Sequence, residues 1–478
     1  MLKRIFKETT IYAVGPQLPK IVGFFILPII TKDLTAYDYG IAALVSAYAG
    51  ILTAMRALGL TDLFVNYYYK RPKFYKIIWK HLLGFLFSYS LVFALFQGLL
   101  LFLILPLSLK LKLMVIILNV IPIVLFENIT VFGSRFLQLK QRPYPVAIIS
   151  AISGFVIVFL NLYTISYLKM GFMGWFVSSL FGSLIQFAFY VLVLLKNRIM
   201  PVMRFRKKYL KKYLRISLPI VPNKYGHYLL NSSDRIVMDF MSISTHKIGL
   251  YNFGYNIGNY FQIIVNSLGI AIAPFYLKLI STGKLADLTT AKKLTQYIQL
   301  LFIFITFLGA LWLRELFDIL VSNDDLKLTY NIAIIIVMMQ NYAPIRFFFT
   351  NYIVYNEKTT FLWRITLVGG IINVILNLLL IPLFGVLVAA ITTFVTMFYI
   401  SIAGYYHKKY KEIQKVELNP FFWFIMSSIA TFIVYFLKDI ETTNKILISV
   451  LLFIIITGLL MMSKKYLNNN YMKKKETL

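Results

Sequence analysis

The sequence predicts an all-α polytopic membrane protein of about 14 transmembrane helices, built as two pseudo-symmetric six-helix lobes plus two C-terminal helices. Three observations predict it: long apolar runs recur along the whole chain, positive charge gathers in alternate loops, and the two lobes share a weak repeat. The 478-residue chain is 59% hydrophobic. Runs of this kind, at ~20 residues each, suffice to cross the hydrocarbon core as helices. They are continuous and lack inside/outside alternation, which excludes a β-barrel.

The first lobe is expected over residues 1–195. It opens MLKRIFKETTIYAVG, a basic tip leading into an apolar segment without a small-residue cleavage site, so 9–31 reads as a spanning helix. Spans follow at 39–60, 79–105, 111–134, 145–167 and 171–195. The linker 196–212, KNRIMPVMRFRKKYLKK, is strongly basic and suits anionic lipid headgroups. The second lobe, 213–406, has spans at 213–241, 247–280, 294–314, 328–354, 361–382 and 384–406. Residues 407–478 supply a loop, two extra spans (420–437 and 444–462) and a basic tail.

With an even number of spans, both termini share one side. Lys and Arg crowd the loops of that side and are sparse on the other, which places the termini in the cytoplasm. The net charge of +31 follows from this bias, and no nucleic-acid partner is implied.

The repeat aligns GFVIVFLNLYTISYLKMGFMGWFVSS (154–179) with GIINVILNLLLIPLFGVLVAAITT (370–393), matching Gly154 to Gly370, Asn161 to Asn377, Gly171 to Gly385 and Ser178 to Thr392. A shorter match sets Gly40 of TAYDYGI against Gly249 of THKIGLY. The offset stays near about 210 residues, and an even number of spans per repeat makes the two lobes parallel.

Ionisable residues inside spans are functional candidates, because desolvating each costs at least a few kcal/mol. The set is Lys20, Arg56, Glu127, Lys224, Asp234, Arg235 and Arg346. Lys20, Arg56 and Lys224 are candidate contacts for an anionic substrate, with snorkelling to headgroups the alternative for Arg56. Asp234 and Arg235 are adjacent and point about 100° apart on a helix, so each is expected to find a partner on another helix, as a gate or inter-lobe bridge. Glu127 and Arg346 are candidates for ion coupling or for a structural pair. In span 8, Asn252, Asn256, Asn259 and Asn266 recur at spacings of 4, 3 and 7, one helical face, beside Tyr251, Tyr255 and Tyr260. Amides beside aromatic rings suit hydroxyl-rich ligands, and equally suit interhelical hydrogen bonds. Pro16, Pro19 and Pro28 in span 1, and Pro219 and Pro222 in span 7, give both lobes a kinkable first helix.

The chain has no cysteine, and its four histidines lack metal-ligand spacing. It carries no nucleotide, zinc or nucleophile-elbow motif. No enzyme activity, metal or cofactor is expected.

Three stretches resemble bacterial polysaccharide flippases of the multidrug/oligosaccharidyl-lipid/polysaccharide exporter superfamily. They are LPKIVGFFILPIITKDLTAYDYG (18–40), LPIVPNKYGHYLLNSSDRIVMDFMSISTHKIGLYNFGYNIG (218–258) and NVILNLLLIPLFGVLVAAITT (373–393). The resemblance implies a V-shaped pair of lobes in the bacterial inner membrane. It implies ion-coupled alternating access that moves an undecaprenyl-diphosphate-linked oligosaccharide to the outer leaflet for surface polysaccharide or lipopolysaccharide. It places Lys20, Arg56 and Lys224 in regions comparable to the basic diphosphate residues of lipid II flippases. Membrane lipids, a glycan polymerase and chain-length machinery are the partners it suggests. The alternatives are an organic-cation exporter, which would favour deep carboxylates, and a membrane glycan polymerase or acyltransferase, which would need a larger extracytoplasmic loop than ELFDILVSNDDLK (315–327).

Overall fold

The computed structural model describes residues 15–204, 207–358 and 361–475, and among these every regular element is helical. The basic N-terminal tip and the start of the expected span 9–31 lie outside the described residues. The first lobe contains α1 (Leu18–Ile30), α2 (Ala36–Arg56), α3 (Leu60–Lys70), α4 (Tyr75–Ile104), α5 (Leu109–Leu139), α6 (Pro143–Tyr167) and α7 (Phe172–Lys196). After a linker helix, α8 (Lys207–Ser217), the second lobe contains α9 (Val221–Phe240), α10 (Thr245–Asn259), α11 (Phe261–Ser281), α12 (Leu285–Leu311) and α13 (Leu313–Leu320). It continues through α14 (Tyr330–Met338), α15 (Ala343–Tyr355), α16 (Leu362–Phe384) and α17 (Leu387–Tyr406). Two further helices, α18 (Pro420–Leu437) and α19 (Thr442–Lys475), pack against α12.

Among the described residues, ten helical segments are long and apolar enough to cross a membrane, and Gly15–Ile30 and Thr442–Gly458 are shorter apolar helices. Helices α2 and α9, of 21 and 20 residues, complete the fourteen. Apolar side chains such as Phe25, Leu95, Leu103 and Phe432 stand exposed, as a lipid-facing surface requires.

Three local differences from the sequence expectations matter for the site. The expected span 213–241 starts later, at Val221, because Lys207–Ser217 forms its own amphipathic helix and Leu218–Ile220 a 3-10 turn. Leu210, Tyr213 and Leu214 of α8 pack on the first lobe, while Lys207, Lys208, Lys211, Lys212 and Arg215 face outward. The expected span 247–280 is broken at Tyr260, just after Gly254 and Gly258 bring α10 onto the backbone of the α14 segment. The prolines mostly start helices: Pro19 and Pro222 sit in first turns and Pro219 in the 3-10 turn, leaving Pro28 inside α1. A proline is tolerated in a first turn because its missing N–H would have had no intrahelical partner.

The lobes meet where α2 packs against α10 and α9. Gly40 and Gly249, the residues matched by the shorter repeat, lie on this contact. A Cβ on Gly40 would stand 2.0 Å from the Thr245 carbonyl oxygen, and one on Gly249 only 1.7 Å from that of Ala36. Ala36 and Thr245 occupy corresponding places in the two lobes, so the approach is reciprocal. Beside it, the Tyr39 ring lies 4.8 Å from Trp175 of its own lobe and 4.8 Å from Phe253 of the other. This junction lies at the end of the bundle that carries the loops 31–35 and 321–323. There Asn323 donates to the Leu34 carbonyl at 3.2 Å, and Ser322 to that of Pro28 at 2.7 Å.

The remainder of the contact is asymmetric. Helix α9 follows α2 along its length: Tyr48 donates to Asp239 at 2.5 Å, Tyr228 to the Ala47 carbonyl, and Lys224 to Thr61 at the start of α3 at 3.2 Å. The corresponding pair, α1 and α10, is splayed, with Phe24 meeting Tyr260 at 5.2 Å beyond the end of α10. Replacing Gly249 with Val should lower the stability of the purified protein by about 1–3 kcal/mol through overpacking, read as a lower thermal midpoint in detergent. Gly458, with nothing within 4 Å of its Cβ position, should tolerate Ala without change.

Candidate functional site

A cavity of about 850 Å³ lies between α1, α2 and α6 of the first lobe and α9 and α10 of the second. Its lining includes Lys20, Arg235, Asn252, Asn256 and Asn259. The asparagines reach it together because α10 turns that face toward the cleft, while Gly254 and Gly258 on the other side pack against the α14 segment. Asn266 falls beyond the break at Tyr260 and lines a second cavity of about 780 Å³ with Asn259, Gln262, Lys20 and Arg346. The two cavities share Lys20, Asn231 and Asn259. Arg56 and Lys224 line a third cavity of about 600 Å³, between α2, α5 and α9, so the intramembrane charges do not all face one space.

Glu127 does not pair with Arg346. Its carboxylate forms a salt bridge with Arg56 inside the first lobe. A five-residue π-helical stretch, Pro122–Phe126, directly precedes Glu127 within α5. The Arg56 side chain is 7% exposed and that of Glu127 35%, so the pair neutralises a nearly buried guanidinium at the cavity wall.

Asp234 and Arg235 do bond to each other, against the expectation from their angular separation: Arg235 Nη1 donates to Asp234 Oδ1 at 2.8 Å. The angle describes where the two Cβ atoms point; the long Arg side chain curls back across it. The same nitrogen donates to the Asn231 carbonyl at 2.8 Å, and Nη2 to Asn252 Oδ1 at 3.3 Å. Tyr251 donates to Asp234 Oδ2. The guanidinium carbon stands 4.0 Å from the Tyr255 ring centroid and 5.0 Å from that of Tyr251. These contacts tie α9 to α10 within the second lobe, and among them none reaches the first lobe. Arg235 still lines the central cavity, with Asn252 fixed at its edge.

Several lining groups were not singled out in the sequence. Asn231, Gln186 and Trp175 line the central cavity, as does Asn161, noted there only as a repeat match. The Oδ1 atom of Asn161 is buried and has no hydrogen-bond partner among the described residues, a free acceptor at the cavity wall. Its repeat counterpart, Asn377, instead accepts from Thr392 at 2.5 Å and donates to Asn373 at 3.1 Å within the second lobe. The alignment of Asn161 with Asn377 was the available signal, but it carried no information about which lobe would turn its amide toward the cleft.

Glu127→Gln should leave Arg56 without a counter-charge and lower stability by about 1–3 kcal/mol. An Arg56→Met/Glu127→Leu double variant should recover most of that loss in the same melt, since removing both charges removes the need for pairing.

A family model described as a polysaccharide biosynthesis protein matches residues 5–280. No curated protein matches in sequence. The fold is similar to a structure described as lipid II flippase MurJ in an inward closed conformation (TM-score 0.71, 13% identity, covering 95% of this chain and 99% of that one). It is also similar to an inward-facing multidrug resistance MATE family transporter of the MOP superfamily (TM-score 0.59, 11% identity, covering 88% and 95%). A third match is the eukaryotic MATE transporter AtDTX14 (TM-score 0.53, 11% identity, covering 91% and 98%). With the family model spanning more than half of its length, this chain belongs to the polysaccharide biosynthesis protein family.

Proposed function

We propose that this protein flips an undecaprenyl-diphosphate-linked oligosaccharide from the cytoplasmic to the outer leaflet of a bacterial inner membrane, for surface polysaccharide assembly. One observation carries the reading: the described linings of the central and second cavities contain cations and many amides, and no carboxylate. A cationic wall attracts a diphosphate, and both Lys and Arg bind phosphate oxygens. The side-chain amides of Asn252, Asn256, Asn259 and Asn161 offer donors and acceptors to sugar hydroxyls, and Tyr39, Trp175 and Tyr260 offer ring faces.

The splayed α1–α10 side suits a lipid-linked cargo, since the polyprenyl tail can stay in the bilayer while the polar head occupies the cleft. With both termini cytoplasmic, the closed junction lies toward the outside and the cavities toward the inside. Alternating access then means opening the Gly40–Gly249 end while closing the other, driven by an ion gradient. An organic cation would meet a lining that repels it. A membrane glycan polymerase would need a catalytic base in the cleft, and none lines it among the described residues.

The test is leaflet-resolved detection of lipid-linked glycan in a strain lacking the protein. Accumulation on the cytoplasmic leaflet is expected; unchanged glycan with altered drug tolerance would sink the reading. In the complemented strain, Lys20→Ala should abolish surface glycan at normal protein level.

A further inference from the structure

We propose that a fourth cavity, of about 610 Å³ and lying wholly within the first lobe, is an uncharged subsite for the sugars of the cargo farthest from its lipid. This rests on the flippase reading above and adds to it a site that distinguishes one glycan from another.

The cavity lies between α5, α6 and α7, with Pro16 at its edge. Its polar lining is Thr130, Ser134 and Gln138 from α5, Ser150 from α6, and Gln186 and Tyr190 from α7. Among the described residues no Lys, Arg, Asp or Glu lines it, whereas each of the three cavities described above holds at least one cation. Its volume falls in the usual range for small-ligand pockets, about 300–1,000 Å³. The side chains divide into acceptors and donors. Thr130 and Ser134 donate their hydroxyl protons to the Phe126 and Val131 carbonyls of their own helix, at 3.0 and 2.9 Å, and keep oxygen lone pairs. Gln138 Oε1 accepts from the exposed Arg135 at 3.0 Å, which leaves its amide protons to donate. Gln186 Nε2 donates to Ser153 at 2.8 Å, which leaves its carbonyl oxygen to accept. Such a wall complements hydroxyl groups, which both donate and accept, and it offers no counter-charge to an anion. The ligand class is therefore a neutral sugar, and an acidic sugar is disfavoured.

Position supports the same assignment. Pro16, Ser150 and Gln186 line both this cavity and the central one, so the two adjoin. Helix α6 forms a common wall. From Ser150 at the junction to Asn161 in the central cavity it runs about 16 Å at 1.5 Å per residue. That is longer than one sugar ring, so only a cargo with several sugars occupies both spaces. Every residue lining the subsite belongs to the first lobe. The central cleft changes shape when the lobes tilt against each other, but a pocket inside one lobe does not. The distal sugars thus keep their contacts while the rest of the cargo changes sides.

The test uses the full-length protein in nanodiscs and two probes. One is lipid-linked glycan extracted from the strain lacking the protein; the other is the same material trimmed by exoglycosidases to its first sugar. Wild type should bind the intact form about tenfold more tightly, as one or two hydrogen bonds supply. Thr130→Val and Gln138→Leu should each lower that ratio by about threefold or more, with the trimmed form bound as in wild type. Asn256→Leu, in the central cavity alone, should weaken both forms alike. A ratio unchanged in both α5 variants, or equal binding of the two forms by wild type, overturns the subsite and leaves the flippase reading standing. Parallel loss of both forms with a lowered thermal midpoint in both α5 variants also overturns it, by making Thr130 and Gln138 structural residues. Binding of neither form by wild type removes the flippase reading itself.

Discussion

An ionised side chain at the depth of a lipid bilayer must have a counter-charge, water or a ligand, because hydrocarbon offers it nothing. The architecture around the cleft follows from how each charge meets that requirement. Arg56 is answered by Glu127 from α5, and Asp234 by Arg235 and Tyr251. These answered charges fix helices to one another inside each lobe. They let α2 and α9, which carry much of the polar load, stand at the centre of the molecule with α2 wedged against α9 and α10. The charges left unanswered define where the protein is open to something else.

The repeat explains why the lobes meet as they do, and the departures from it explain why the cleft is useful. Gly40 and Gly249 make a reciprocal contact that a pseudo-twofold relation requires. Along the flanks, α9 is bonded to α2 at several levels, whereas α1 stands off from α10. The same divergence shows in Asn161 and Asn377: one amide faces the cavity, and the other is spent on Thr392 and Asn373. Matched positions thus serve one lobe as a polar cavity wall and the other as an internally bonded polar core.

The spans were legible because a membrane helix needs a long apolar run and little else. The Asn252–Asn256–Asn259 face was legible because helical spacing fixes which side chains share a side. Charge pairing was not, since partners such as Arg56 and Glu127 are 71 residues apart and only the tertiary fold of the first lobe brings them together. The Asp234–Arg235 bond was hidden for a different reason: backbone geometry constrains Cβ directions, and a guanidinium on a long flexible stem escapes that constraint. The break at Tyr260 has no proline to announce it. Its setting, the close approach of Gly254 and Gly258 to the α14 segment, is tertiary.

The glycine contact between the lobes also has a mechanical meaning. Backbone touches backbone at Gly40 and Gly249, so little side-chain material is available there to compress or slide. From Gly40 to Arg56, α2 runs about 24 Å at 1.5 Å per residue. A rigid arm of that length, tilting by about 10° about its Gly40 end, sweeps its Arg56 end through about 4 Å. That displacement exceeds the length of a hydrogen bond, so a small tilt of α2 is enough to make or break the polar contacts around Arg56.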